Sequence, residues 1–147
     1  MNLSTLLLER ETAGRPVTVG LIGAGKFGTM FLAQARLTKG MHVVAVADLN
    51  VERARSQLKS AGWPAEQYAA GSLDDAIKHR TTHITADAES LIKHPGIEVI
   101  VEATGIPEVG ILHAIKAIEH GKHIIMVNVE ADALAGPLLA RKAQARL

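Results

Sequence analysis

Short apolar segments alternate with helical patterns along most of the chain, and this alternation restricts the possible folds more than any other feature. Runs rich in valine, isoleucine and alanine predict five strands, at 17–22, 43–47, 83–86, 97–103 and 123–127. Helical patterns ended by glycine or proline separate them, at 26–39, 51–61, 72–79, 88–94 and 108–120. Because strand–helix–strand units join strands in parallel, the sequence predicts an α/β fold with a doubly wound parallel sheet.

Composition limits the function classes that such a fold could serve. The 147 residues suit one domain, and the formal charge of +1 gives no electrostatic basis for binding nucleic acid or an anionic membrane surface. No apolar window is long enough to cross a membrane. The chain has no cysteine, which excludes disulfides, thiolate zinc sites and a cysteine nucleophile, and fits a cytoplasmic location. None of the seven histidines pairs with a carboxylate at metal-ligand spacing, so no metal site is predicted.

A glycine-rich segment, 23–28, reads G-x-G-x-x-G between the first predicted strand and the first predicted helix. Here Gly23 permits a tight turn, Gly25 lets the backbone approach a pyrophosphate, and Gly28 lets helix and strand pack closely. Free N–H groups at the start of the helix would face the anion along the helix dipole. This context predicts a Rossmann-type dinucleotide site whose pyrophosphate-binding residues are Gly23, Ala24, Gly25, Lys26, Phe27 and Gly28.

A carboxylate follows the second predicted strand, 20 residues after Gly28. Asp48 stands where an acidic residue accepts hydrogen bonds from the ribose of the adenosine half, which favours NAD because its charge repels a 2′-phosphate. Arg53 and Arg55 lie in the next helix and offer the opposite interpretation, in which an arginine neutralises that phosphate. The residues alone therefore leave the choice between NAD and NADP open.

Polar residues follow the fourth and fifth predicted strands, at the edge of the sheet where open α/β folds bind ligands. Thr104 and Gly105 offer a hydroxyl and a close backbone approach to the nicotinamide ribose. Asn128 is expected to reach the nicotinamide side. Glu102 is expected to orient a neighbouring loop.

Helices are also predicted near both ends of the chain. Segment 1–14 is expected to form a short amphipathic helical arm that docks on the domain or on a partner subunit, and 15–147 to form the dinucleotide-binding domain. Pro137 suits the first turn of a last helix over 138–147, and Glu130 and Asp132 would cap that helix or flank the cleft. Neither a sixth strand nor a substrate domain is recognisable, so the chain is expected to be part of a longer protein, with catalytic residues beyond Leu147.

Three segments together resemble the cofactor domain of homoserine-dehydrogenase-like oxidoreductases: VGLIGAGKFG at 19–28, VAVAD at 44–48 and VEATG at 101–105. The resemblance covers about residues 16–132. The segment EHGKH at 119–123 also resembles sugar dehydrogenases related to glucose–fructose oxidoreductase, but the lysine that follows in that family is missing here. NVEAD at 128–132 is most similar to a branch that includes proteins resembling the second type of 1-deoxy-D-xylulose 5-phosphate reductoisomerase, an NADPH enzyme of isoprenoid precursor synthesis.

These resemblances imply an NAD(P)-dependent oxidoreductase that transfers hydride to or from a small carbonyl or hydroxyl compound. They slightly favour NADPH as the cofactor. Because proteins of the resembled family commonly form dimers, a homodimer of the full-length protein is also expected. The isolated chain is expected to bind dinucleotide without turning over a substrate. The alternatives are a homoserine or sugar dehydrogenase-type oxidoreductase, and a non-catalytic dinucleotide-sensing regulatory module.

Overall fold

The computed structural model describes residues 2–147, which form five strands, seven α-helices and one short 3₁₀ helix. The strands are β1 (Val17–Ile22), β2 (Met41–Ala47), β3 (His83–Thr85), β4 (Val99–Glu102) and β5 (His123–Met126). The helices are α1 (Leu3–Thr12), α2 (Lys26–Ala35), α3 (Val51–Ser60), α4 (Leu73–His79), α5 (Ala88–Lys93), α6 (Pro107–Glu119) and α7 (Val129–Gln144), with the 3₁₀ helix at Ala65–Tyr68. All five predicted strands are present, which confirms the α/β prediction.

The sheet has the strand order β3-β2-β1-β4-β5, and every neighbouring pair is parallel. The chain runs from β1 outward to β3, then crosses back and continues from β4 to β5. The strand order therefore reverses between β1 and β4. At such a reversal the connections leave the carboxyl ends of the strands in opposite directions and open a crevice between them.

Helices cover both faces of the sheet and bury a separate apolar core on each. On one face Leu21 packs with Leu32 of α2 and Leu58 of α3, and all three side chains are fully buried. On the other face Ile100 packs with Leu91 of α5. Burial of large aliphatic side chains on both faces stabilises the sheet and holds its carboxyl edge in place.

Two helices differ from their predicted bounds by more than one residue. The helix predicted over 26–39 ends at Ala35, since the chain continues through tight turns to Gly40, whose φ is 84°. The last helix begins at Val129 instead of 138, and Pro137 lies inside it. The Asn128 side chain accepts a hydrogen bond from Ala131 N and so starts this helix nine residues earlier than predicted.

The N-terminal arm is helical as predicted, but it is held by charged contacts and not by an apolar face, since no described residue of α1 is buried. Arg10 Nη2 donates to both carboxylate oxygens of Glu98, at 2.8 and 2.7 Å. Glu11 accepts from Gly40 N at 3.0 Å and forms an ion pair with Arg80. Since Glu98, Gly40 and Arg80 all precede strands, the arm contacts the amino edge of the sheet.

Among residues 2–147, no helix combines the length and the apolar character needed to cross a membrane.

Candidate cofactor-binding cleft

A cleft of about 420 Å³ opens at the carboxyl edge of the sheet, where the strand order reverses. We call it the carboxyl-edge cleft. Its walls are the residues that directly follow β1, β2, β3 and β4, together with one side of α6. Five of the residues predicted to bind a cofactor line it: Gly23, Gly25, Asp48, Arg53 and Thr104.

The glycine turn has the geometry predicted for it. Gly23 has a φ of 100°, and a Cβ there would lie 2.6 Å from the carbonyl oxygen of Ala103, so the turns after β1 and β4 touch through their backbones. A Cβ at Gly28 would lie 2.3 Å from the carbonyl oxygen of Gly23, which confirms the close packing of α2 on β1. No atom outside the immediate neighbours lies within 4 Å of a Cβ at Gly25, so open space remains where a pyrophosphate is predicted.

The first turn of α2 leaves backbone donors available beside this space. Gly25 is its N-cap residue and supplies no side-chain cap. The side chains of Lys26 and Phe27 are exposed and do not line the cleft. Their backbone N–H groups, at the start of α2, remain for the predicted anion contact. The N–H of Ala24 is not available, because it donates to Asp48 Oδ2 at 2.9 Å.

Asp48 is almost completely buried, with 2% of its side chain exposed. It accepts hydrogen bonds from Ala24 N at 2.9 Å, from Asn50 N at 2.8 Å and from Arg53 Nη2 at 2.7 Å. Burial opposes ionisation of this carboxyl, but the hydrogen bonds from Arg53, Ala24 and Asn50 outweigh it and hold the pKa below its ordinary value. Asp48 is therefore an anion at neutral pH that already has three donors from the protein.

The two arginines of α3 lie in different environments. Arg53 pairs with Asp48 and lines the carboxyl-edge cleft, and 53% of its side chain is exposed. Arg55 pairs with Glu52, with Nε 3.7 Å from Oε1, and does not line the cleft. Of the two arginines considered for a 2′-phosphate, only Arg53 is in position.

A buried carboxylate organises the turn after β4. Glu102 is fully buried, and its Oε1 accepts from Thr104 Oγ1 at 2.5 Å and lies 3.3 Å from His113 Nδ1. Burial opposes ionisation here as well, but the hydrogen bonds from His113 and Thr104 hold the pKa of Glu102 below its ordinary value. This is the loop-orienting role predicted for Glu102.

Asn128 lies beneath the same turn and outside the lining of the cleft. Its Nδ2 donates to the carbonyl oxygen of Ile106 at 2.8 Å, and its Oδ1 accepts from Ala131 N at 3.1 Å. The structure thus gives Asn128 a supporting role, and direct contact with a cofactor stays a prediction. Gly105, with a φ of 71° and open space around it, is exposed next to Thr104, and its cofactor contact also stays a prediction.

Several lining residues were not predicted from the sequence. Most are apolar and form the cleft walls: Ile22, Ala47, Leu49, Ala86, Ala88, Ala103, Ile106 and Val109. The polar one is His113, one helical turn after Val109. The residues that follow each strand could have been found, because carboxyl ends of parallel strands share one edge. His113 could not, since its position depends on how α6 packs on the sheet.

A second, larger depression of about 610 Å³ lies at the opposite edge of the sheet, and we call it the amino-edge depression. Arg36, Lys39, Trp63 and Arg80 are among its lining residues. It shares no residue with the carboxyl-edge cleft. Within residues 2–147, no group of three or more histidine, aspartate and glutamate side chains is arranged to hold a metal ion.

Comparison with protein families identifies the domain. The family described as "Homoserine dehydrogenase, NAD binding domain" matches residues 19–146. The chain belongs to this family. The match includes the glycine turn, Asp48 and the turn after β4, which are the parts that form the carboxyl-edge cleft.

Individual relatives agree with the family. The homoserine dehydrogenase of Methylobacillus glycogenes is 29% identical, over 90% of this chain and 31% of that enzyme. The crystal structure of a homoserine dehydrogenase from Thiobacillus denitrificans superposes with a TM-score of 0.68 and 25% identity, over 90% of this chain and 28% of that one. This chain therefore spans about a third of the homoserine dehydrogenases that it matches.

More distant structures share the fold. Myo-inositol dehydrogenase from Lactobacillus casei, solved with NAD(H) and myo-inositol, has a TM-score of 0.64 and 22% identity over 86% of this chain and 33% of that one. Biliverdin reductase from Synechocystis, solved with biliverdin and NADP+, has a TM-score of 0.67 and 18% identity over 89% and 35%. These neighbours confirm the Rossmann-type fold. The first of these two structures contains NAD(H) and the second contains NADP+.

Proposed function

We propose that this chain is the cofactor-binding part of an NADP(H)-dependent oxidoreductase of the homoserine dehydrogenase type. One observation carries the proposal: a single cleft at the strand-order reversal brings together the glycine turn, the Asp48–Arg53 pair and Thr104. The cofactor supplies hydride transfer when bound, and the domain supplies binding and orientation.

The residues of the cleft fit a dinucleotide in three parts. Open space at Gly25 and the uncapped first turn of α2 suit the pyrophosphate. The end of β2, at Asp48, suits the adenosine ribose. Thr104 lies on the other side of the strand-order reversal and suits the nicotinamide half.

The preference for NADP(H) is proposed from the Asp48–Arg53 pair. The two Asp48 oxygens already accept from the protein, so the ribose hydroxyls of NAD would compete with Ala24, Asn50 and Arg53 for them. The Arg53 guanidinium balances the charge of Asp48, and its exposed part lies in the cleft. An arginine in this position pairs well with a 2′-phosphate.

Fluorescence titrations of the chain with NADPH and NADH test this proposal. We expect NADPH to bind more tightly, and Arg53→Gln to weaken NADPH binding by about tenfold or more, because it removes a charge-assisted contact. Arg55→Gln is the matched control and should bind NADPH as the wild type does, since Arg55 lies outside the cleft. Tighter NADH binding by the wild type, or unchanged NADPH binding by Arg53→Gln, would contradict the preference.

The activity of the whole protein is a further part of the proposal. The two relatives described above as homoserine dehydrogenases favour oxidation of homoserine, or reduction of its aldehyde, over the reductoisomerase reaction. We expect the chain alone to bind dinucleotide and turn over nothing, with catalytic groups in the part of the relatives that it does not span. The homodimer and the cytoplasmic location stay predictions.

A spectrophotometric assay of a full-length protein that contains this domain decides between the alternatives. NADP-dependent oxidation of homoserine supports the proposal. Activity only on 1-deoxy-D-xylulose 5-phosphate would replace it with the reductoisomerase interpretation. Dinucleotide binding with no turnover of either substrate would favour a sensing module, and turnover by the 147 residues alone would contradict the expected inactivity of the chain.

A further inference from the structure

His113 is a polar side chain in the carboxyl-edge cleft with no task in the proposal above. It lies in α6, lines the cleft, and has 15% of its side chain exposed. Its Nδ1 is 3.3 Å from Oε1 of the buried Glu102. Because an ionised carboxylate can only accept, the proton must be on Nδ1, and the Nε2 of a neutral imidazole is then an acceptor.

The position of His113 in the fold indicates which half of a bound dinucleotide it would contact. The end of β2, with Asp48, lies on one side of β1, and β4 and α6 lie on the other. A dinucleotide that crosses the strand-order reversal with its adenosine ribose at Asp48 places its nicotinamide half beside β4 and α6. His113 therefore lines the part of the cleft that faces the nicotinamide nucleoside.

The burial of Glu102 costs more free energy than holding a loop requires. It is fully buried, and its Oε2 has no hydrogen-bond partner within residues 2–147. A buried carboxylate costs free energy that a neutral side chain of similar shape would not. The groups that its Oε1 holds are the side chains of Thr104 and His113, which both line the carboxyl-edge cleft. A role in presenting these two side chains to a ligand accounts for a carboxylate at this position.

We propose that Glu102 and His113 form a recognition pair for the nicotinamide half of the cofactor, in which Glu102 fixes the imidazole tautomer and His113 Nε2 accepts a hydrogen bond from the cofactor. Two donors have this chemistry: a hydroxyl of the nicotinamide ribose and the amide N–H of the carboxamide. His113 is the contact residue and Glu102 the positioning residue. This inference rests on the proposed dinucleotide binding.

Two substitutions of His113 separate recognition from structure. An asparagine side chain places its amide near the position of Nδ1, so His113→Asn keeps a donor for Glu102 but removes the acceptor at Nε2. A glutamine side chain reaches the position of Nε2, so His113→Gln keeps a polar group in the cleft. We expect His113→Asn to weaken NADPH binding about fivefold, the equivalent of about 1 kcal/mol, and His113→Gln to bind nearly as the wild type does.

Cofactor fragments identify the donor. Binding of 2′,5′-ADP, which lacks the nicotinamide half, should be the same in the wild type and in His113→Asn. If a ribose hydroxyl is the donor, His113→Asn should bind both 2′-phospho-ADP-ribose and NADPH more weakly than the wild type does. If the carboxamide is the donor, only NADPH should lose affinity.

The outcomes that overturn the inference are distinct. Equal NADPH affinity in the wild type and His113→Asn would remove His113 from the contact. An equal loss of 2′,5′-ADP and NADPH affinity in His113→Asn, with a lower Tm, would reduce the pair to a structural role. If the wild-type chain bound neither NADPH nor 2′,5′-ADP, the proposed function itself would fail, whatever the variants showed.

Discussion

Gly25 and Gly23 are two glycines of one turn with different physical reasons for lacking a side chain. At Gly23 the backbone has a positive φ and touches the turn after β4, so a side chain would disturb the fold itself. At Gly25 the φ is −78° and the surrounding space is open, so the fold alone would accept alanine. The space at Gly25 is explained by a ligand that approaches the backbone.

Gly25→Ala should therefore separate binding from stability. We expect its Tm to stay within about 2 °C of the wild type, since no clash arises in the free chain, while NADPH binding falls at least tenfold because the methyl group occupies the pyrophosphate position. Gly71→Ala is the matched control, since Gly71 also has open space around a Cβ but lies outside the cleft. Thermal denaturation and fluorescence titration of both variants check the prediction, and normal binding by Gly25→Ala would contradict it.

Asp48 should make the stability of the chain depend on acid. Burial opposes its ionisation, but the hydrogen bonds from Arg53, Ala24 and Asn50 outweigh it and keep its folded-state pKa below the ordinary value. A carboxyl of this kind contributes stability above its unfolded pKa of about 4, and the contribution is lost as the pH falls through the folded pKa. Urea denaturation between pH 7 and pH 3 should show a shallower decline for Asp48→Asn than for the wild type. Parallel curves would contradict the role of Asp48.

The sequence predicted the residues of this site better than their contacts. The spacing from Gly28 to Asp48 follows from the length of a helix and a strand, so the position of the carboxylate was predictable. The hydrogen bonds that Asp48 accepts from Ala24 N and Arg53 were not predictable. They depend on how the turns after β1 and β2 pack together. His113 was missed for a similar reason.

Among the elements, α7 shows how a cap can override a proline signal. Pro137 suits the first turn of a helix, and the sequence therefore predicted a start at 138. The structure begins α7 at Val129 because Asn128 caps it, and the helix continues through Pro137. Asn128 also donates to the Ile106 carbonyl, so one side chain joins the start of α7 to the turn before α6.

Because Asn128 has two roles, its loss should reduce the stability of the chain more than the loss of an ordinary helix cap. We expect Asn128→Ala to lower the free energy of unfolding by about 2 kcal/mol, because it removes a helix cap and leaves a carbonyl without its donor. Asn50→Ala removes only the cap of α3, where Asn50 accepts from Arg53 N, and should cost about 1 kcal/mol. Urea denaturation of both variants makes the comparison, and an equal or smaller loss for Asn128→Ala would contradict its second role.

At the scale of the whole molecule, the sheet separates two surfaces of different construction. The carboxyl edge carries the cleft that contains the glycine turn, Asp48 and His113. The amino edge carries α1, which is held there by Arg10 and Glu11, and the larger amino-edge depression. Size alone would favour the depression as a binding site. The position of the strand-order reversal and the chemistry of the lining residues favour the carboxyl-edge cleft.

The most direct test of this account is to map where NADPH binds by following backbone amide NMR signals of the chain during a titration. We expect saturable changes at the glycine turn and at the ends of β2 and β4, around Gly25, Asp48 and Thr104, with little change around Arg36 and Trp63 in the amino-edge depression. Changes confined to the amino-edge depression, or no changes at millimolar NADPH, would contradict the assignment of the carboxyl-edge cleft as the dinucleotide site.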